Sequence, residues 1–203
     1  MPLHLHDKAH ILDACLQTFA RHGYERTTTA MLAEAAGVSK ALIFHHFKSK
    51  ADLYLELLDH CAALARASLD PSRLERSDDF FQARECFSRI EFEFVHRNRD
   101  VYRVLKEAYL TPPAELKDEL ERRQDALNTE RREIWRRLFA KVPLRKGVDR
   151  RQAFELVMLA IEHFEQKYLA EMTEDTELDP GHVRRFLRQR SRFLEMIRHG
   201  IEG

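Results

Sequence analysis

The sequence predicts an all-α protein in two parts: a small N-terminal three-helix unit and a larger helical bundle. Three observations predict it. Apolar residues recur three and four positions apart along most of the chain, which is the spacing of one helix face. The strict alternation of a half-buried strand is absent. Only six glycines and six prolines interrupt 203 residues, and most fall where the apolar pattern stops.

Helix one is expected over 8–22, with Ile11, Leu12, Cys15, Leu16 and Phe19 on one stripe. Two short helices joined by a tight turn follow within 28–50. Helix four, 50–69, aligns Leu53, Leu57, Cys61 and Leu64. Pro71 and the polar run 72–78 mark a boundary. Helix five, 79–97, carries Phe80, Phe81, Phe87, Ile90 and Phe94. Helix six, 101–110, is stopped by Thr111, Pro112 and Pro113. Helix seven, 114–141, is charged in its first half and carries Ile134, Trp135, Leu138 and Phe139 in its second. After a break at 143–147, helix eight, 150–172, is the most apolar of the chain. An acidic loop, 173–179, and Pro180-Gly181 lead into helix nine, 182–199, with Val183, Phe186, Leu187, Phe193, Leu194 and Ile197.

Composition narrows the function classes. The chain is 44% hydrophobic and 33% charged, as ordinary globular proteins are. No apolar run approaches the ~20 residues that span a bilayer. The first ten residues, MPLHLHDKAH, lack the apolar core of a signal peptide, so a cytoplasmic protein with no membrane partner is expected. Cys15, Cys61 and Cys86 have no metal-like spacing and read as buried thiols. Formal charge is zero, 34 basic against 34 acidic residues, so overall charge does not point to nucleic acid. Residues 1–60 carry six Lys and Arg against seven Asp and Glu. Local placement is more telling: Lys40, Lys48 and Lys50 fall within 39–51 with no acidic residue.

The most informative segment is 28–50, TTAMLAEAAGVSKALIFHHFKSK. Ala33, Ala35 and Ala36 are small enough for two helices to cross closely. Gly37 tolerates the left-handed backbone that ends a helix. Val38 plugs the gap, and Ser39 caps the next helix. That helix turns Ile43 and Phe47 inward and leaves Ala41, Leu42, His45 and His46 outside. Ser49 caps helix four, with Asp52 as its capping-box partner. Helix, glycine turn and short helix make a helix-turn-helix, a pattern that places its second helix in a DNA major groove.

Phe19, Gly23, Tyr24, Thr28, Thr29, Ala33, Ala36, Gly37, Val38, Ser39, Ile43, His45, Phe47, Lys50 and Leu53 together resemble the N-terminal signature of TetR-type transcriptional regulators. The resemblance covers roughly residues 8–60. It implies residues 1–50 as a helix-turn-helix DNA-binding domain and 51–203 as an effector-binding and dimerisation domain, with helix four connecting. It further implies a homodimer on a palindromic double-stranded operator, released as a repressor by a small apolar or amphipathic effector. No cofactor, metal or catalysis is implied.

The residues expected on DNA are Thr28, Thr29, Ser39, Lys40, Ala41, Leu42, His45, His46 and Lys50. Thr28, Thr29 and Lys50 lie at helix N-termini, where hydroxyl, ammonium and free N–H groups suit phosphate. Lys40 reaches phosphate or a guanine edge. Ala41 and Leu42 suit thymine methyl groups, and the two histidines suit phosphate. The chain departs from the common pattern with Ala41-Leu42 in place of Gly-Thr and Phe44-His45-His46 in place of Tyr-His-Tyr. These departures bear on operator sequence. Phe44, lacking a hydroxyl, reads as a core residue.

The resemblance also implies a pocket among helices five to eight. Phe87, Tyr102, Tyr109, Trp135, Phe139, Phe154, Met158 and Glu162 are its expected lining. Among Glu162, His163 and Glu165, at least one polar group is expected to point inward. Helices eight and nine are expected to form the dimer. Arg184, Arg185, Arg188, Arg190 and Arg192 are read as a basic stripe pairing across it with Glu162, Glu165, Glu171 and the acidic loop. Two rival classes remain. A di-iron carboxylate enzyme needs two Glu-x-x-His helices, and only Glu93 to His96 matches. A scaffold that binds no DNA would not need the lysines of 40–50.

Overall fold

The computed structural model describes residues 8–69, 77–171 and 180–203. Among them are nine α-helices: α1 Lys8–Arg26, α2 Thr29–Ala35, α3 Lys40–His46, α4 Lys50–Leu69, α5 Phe80–Arg97, α6 Arg99–Leu110, α7 Lys117–Phe139, α8 Arg150–Glu171 and α9 Pro180–Ile201. A single 3-10 turn, Ala114–Leu116, leads into α7. The described residues contain no strand, only an isolated antiparallel bridge between Leu144 and Glu202. The all-α class and the order of helices are as the apolar spacing predicts. The boundary at Pro71 and the acidic loop 173–179 lie outside the described residues, as do the side chains of Tyr168, Glu171 and Val183.

The chain packs as two compact units. The first joins the residues up to Ser68 with Arg97–Asn128; the second joins Leu69–His96 with Thr129–Gly203. The expected division at residue 50 separates helices by task. Packing instead groups α4, α6 and the start of α7 with the N-terminal three. The reason is the shape of the first core, where α6 lies along α1. Val101, Val104 and Ala108 of α6 are buried together with Ile11, Cys15 and Phe19 of α1 and Leu53, Tyr54 and Leu57 of α4. Full burial of each large apolar side chain stabilises by ~1.5–3 kcal/mol. Leu64, expected on the α4 stripe, is exposed, so the buried face of α4 ends at Cys61.

Local chemistry sets the helix ends. Helical dihedrals fail inside α1 at Gly23, where φ is 71° and ψ 170°. Thr28, Ser39 and Ser49 each accept a backbone N–H at the start of α2, α3 and α4. Asp79 accepts from the N–H groups of Phe81 and Gln82 and so starts α5. Arg150 donates to the Phe139 and Val142 carbonyls at the far end of α7.

The second unit has its own core. Phe80, Phe81 and Phe87 of α5 meet Trp135, Leu138 and Phe139 of α7, and Phe154, Val157, Met158 and Ile161 of α8. Phe87 and Phe80 stand edge-on to Trp135, with centroids 5.2 and 6.0 Å away, the arrangement that aromatic quadrupoles favour. α9 packs on α8 and contributes Leu194 and Ile201.

Candidate nucleic-acid interface

The turn between α2 and α3 is built from three hydrogen bonds and one glycine. Gly37 has φ 64°, and its N–H meets Glu34 O at 3.1 Å. Val38 N–H reaches back to Ala33 O at 2.9 Å. Ala33 and Ala36 are buried at the crossing, but Ala35 is exposed and takes no part in it. Ser39 Oγ accepts from Leu42 N–H at 3.1 Å and fixes the start of α3. Ile43 and Phe47, each 1% exposed, pin α3 to the first core.

That anchoring decides what α3 presents outward. Ser39, Lys40, Ala41 and His45 are exposed; Leu42 and His46 are half-buried. His46 lies against His45 and Phe47, with centroids 5.4 and 6.2 Å away. Thr28 is exposed and Thr29 half-buried at the start of α2. Phe44 overturns its expected place in the core, for its side chain is 51% exposed. The reason is angular. At 100° per residue Phe44 stands one turn after Lys40, not over the Ile43–Phe47 seam. That spacing was the available signal, and Phe44 belongs with the outward set.

Lys50 also differs from its expected role as a phosphate anchor. Its Nζ donates to Tyr24 O at 3.0 Å and lies 4.0 Å from the centroid of the Tyr24 ring. The ammonium is therefore committed to the last turn of α1, in a hydrogen bond and a cation–π contact. Glu107 of α6 completes this junction. Its Oε1 accepts from Tyr24 N–H at 2.9 Å, and its Oε2 accepts from Tyr54 Oη at 3.3 Å. Tyr24 Oη donates to Glu115, and Thr27 Oγ1 donates to Gly23 O at 2.6 Å. Burial first, and the carboxylates beside them second, push the Tyr24 and Tyr54 phenols well above their ordinary range. Farther along α4, Asp59 accepts from Arg123 of α7 at 2.8 Å. Tyr54 and Asp59 thus tie α4 to α6 and α7.

The residues expected to line an effector site fall into two sets. Phe87, Trp135, Phe139, Phe154 and Met158 share the core of the second unit. Tyr102 and Tyr109 belong to the first unit. Glu162 is 46% exposed and paired with Arg132 at 3.4 Å, so it does not enter the core. His163 is exposed. Glu165, 40% exposed, accepts from the buried Arg84 at 2.7 Å. These pairs engage Glu162 and Glu165 within the chain. Arg190 leaves the expected surface stripe altogether. It is 1% exposed, and its Nη1 donates to Ser88 Oγ at 2.6 Å.

Arg84 and Arg190 were missed as candidate site residues, and the sequence held a signal for each. Arg84 follows Phe80 by four and precedes Phe87 by three; Arg190 stands four from Phe186 and four from Leu194. Both therefore lie on buried stripes. The Arg84 guanidinium lies 4.5 Å from the Trp135 ring centroid. Burial pushes the nearby Glu91 carboxyl up, although Arg131 opposes it.

Residues 11–57 match the family model for bacterial regulatory proteins, tetR family. The HTH-type transcriptional repressor AcnR of Corynebacterium glutamicum is 47% identical over 53 residues, 26% of this chain and 28% of AcnR. The HTH-type transcriptional regulator TtgR of Pseudomonas putida is 43% identical over 65 residues, 30% of this chain and 31% of TtgR. The chain thus matches less than a third of the length of these curated relatives. Solved structures extend the likeness in fold. The TetR family regulator PfmR from Thermus thermophilus superposes with a TM-score of 0.62 at 19% identity, covering 95% of this chain and 99% of PfmR. FadR from Bacillus subtilis, solved in complex with stearoyl-CoA, gives 0.65 at 15% identity, covering 97% of this chain and all (100%) of FadR.

Proposed function

We propose, from the premise that residues 11–57 are a TetR-family N-terminal module on a chain with that family's fold, that this protein is an effector-responsive transcriptional repressor. The observation that carries the reading is the outward face of α3. Ile43 and Phe47 hold the helix down, and Lys40, Ala41, Phe44 and His45 stand out from it. A capped helix with one cation and apolar groups on its free face suits a major groove, where methyl groups and guanine edges are read. Thr28, Thr29, Ser39 and His46 flank that face and serve as phosphate contacts. The protein works by recognition rather than by catalysis, in the cytoplasm. Among the described residues, no helix is long and apolar enough to cross a membrane.

A palindromic operator requires a dimer. Leu156 and Leu159 of α8 and Phe193 and Met196 of α9 are 50%, 63%, 44% and 62% exposed. Large apolar side chains exposed on two adjacent helices support α8 and α9 as the self-association face. The aromatic core of the second unit supports a largely apolar effector, and the FadR neighbour holding stearoyl-CoA agrees with an amphipathic one. Within the first unit, the Tyr54–Glu107–Tyr24–Lys50 junction joins α6, α4 and α1. It offers a rigid path by which a shift of α6 moves the reader.

Selection from a random duplex library tests the reading, followed by anisotropy titrations of the winners across salt concentration. A two-fold symmetric sequence should be enriched, and log affinity should fall steeply with log salt as counterions are released. No enrichment, or salt-independent binding, removes DNA recognition as the function.

A further inference from the structure

Four buried N–H groups in the second unit have no acceptor among the described residues: Arg84 Nε, Trp135 Nε1, Arg190 Nε and Arg190 Nη2. All four are donors. Leaving a buried donor without an acceptor costs its full desolvation, and the cost is greatest on a charged group. The two on Arg190 form a particular pair. Nε–H and the neighbouring Nη2–H point the same way, as the two-pronged edge that fits both oxygens of a carboxylate or phosphate. The other end of the guanidinium is already fixed by Ser88.

Among the described residues, no carboxylate meets that edge. Glu165 is engaged by Arg84 at 2.7 Å, and Glu91 lies 3.9 Å from Arg131. Burial and the charge of Arg84 pull Arg190 down to about 10, which leaves it charged at neutral pH. Apolar groups surround the cluster. Phe87 and Trp135 flank Arg84, and Phe186 and Leu194 stand one turn to either side of Arg190. A buried arginine serving structure alone is ordinarily met by a carboxylate.

We propose that this cluster is the headgroup site of the effector. The Nε–Nη2 edge of Arg190 takes the carboxylate or phosphate of an amphipathic molecule. Arg84 supplies a second positive charge, and apolar side chains of the same unit take the tail. The inference rests on the second unit being the effector-binding part.

Calorimetric titration of the full chain with decanoate, decyl phosphate and decanol tests it. At least one anion should bind roughly tenfold or more tightly than the alcohol, and the stronger of the two assigns the headgroup. Arg190→Met should melt at the same temperature as the parent or higher, since an apolar side chain replaces an under-partnered charge. Its anion affinity should fall to the level of the alcohol. Arg190→Lys keeps the charge without the two-pronged edge and should lose part of the affinity, which decides the matter if Arg190→Met does not fold. Equal binding of all three probes, no anion binding up to millimolar concentration, or undiminished binding in the variants overturns the site. DNA titrations on the same samples separate the two readings. DNA binding without anion preference sinks only the headgroup site; anion binding without DNA binding sinks the regulator.

Discussion

Lys40 and Lys50 are the same residue type in the same basic segment, yet their surroundings give them different work. Lys40 is exposed on α3, whereas Lys50 is spent on the Tyr24 carbonyl and ring. Lys40→Ala should leave the unfolding midpoint unchanged and lower the salt slope of DNA binding by about one. Lys50→Met should do the reverse, costing ~1–2 kcal/mol of stability in urea while the slope holds. Swapped outcomes would return Lys50 to the phosphates. A second residue-scale expectation concerns pH. Burial pushes the Cys15 and Cys61 thiols from 9.0 up to about 12. The folded state keeps protons that the unfolded chain releases, so this contribution is complete below pH 9 and is lost as pH rises toward 12. Each thiol removes at most ~1.4 kcal/mol per pH unit in that window. Urea midpoints should fall between about pH 8 and about pH 10, and fall less in a Cys15→Ala, Cys61→Ala double variant. An identical fall in both proteins would clear the thiols of any part in it.

At the scale of elements, the end of α1 is where two demands meet. The chain must leave the helix, and Glu107 must approach Tyr24 N–H. Gly23 allows both: its φ is +71°, and a Cβ there would stand 2.7 Å from Glu107 Oε1. Gly37 has a similar φ of +64° but nothing within 4 Å of its would-be Cβ. Gly37→Ala should therefore cost ~1–2 kcal/mol, the backbone strain alone. Gly23→Ala should cost more, ~3 kcal/mol, because strain is joined by displacement of the carboxylate. Urea titration of both variants checks the order. Equal losses would mean that the Glu107 contact adds nothing.

For the whole molecule, the exposed apolar side chains of α8 and α9 carry the prediction. Replacing Leu159 with Lys and Met196 with Glu touches no core contact, since both are more than half exposed. The double variant should sediment as a monomer at concentrations where the parent is a dimer. Its DNA affinity should collapse with α3 intact, because each half-site alone offers one reading helix. A variant that remains dimeric would place the interface on another face.

Much of this protein was legible in its sequence because the signals are local. The all-α class follows from apolar spacing, and the α2–α3 turn from Gly37, Ser39 and the small residues before them. Capping chemistry acts over three residues, so it can be read three residues at a time. The sequence alone also decided which residues hold α3 down, Ile43 within it and Phe47 just past its end. What lies 50 or more residues away was not legible in this way. Glu107, 83 residues beyond Tyr24, meets it only because α6 lies along α1, and no spacing rule announces it. Phe44 was misplaced by residue type, and the angle about the α3 axis corrected it. The two buried arginines were hidden by the same habit, since Arg ordinarily belongs on a surface. Spacing put Arg84 and Arg190 on apolar stripes, but tertiary packing alone decided what closes over them and that Glu165 and Ser88 are their partners, because those partners come from other helices.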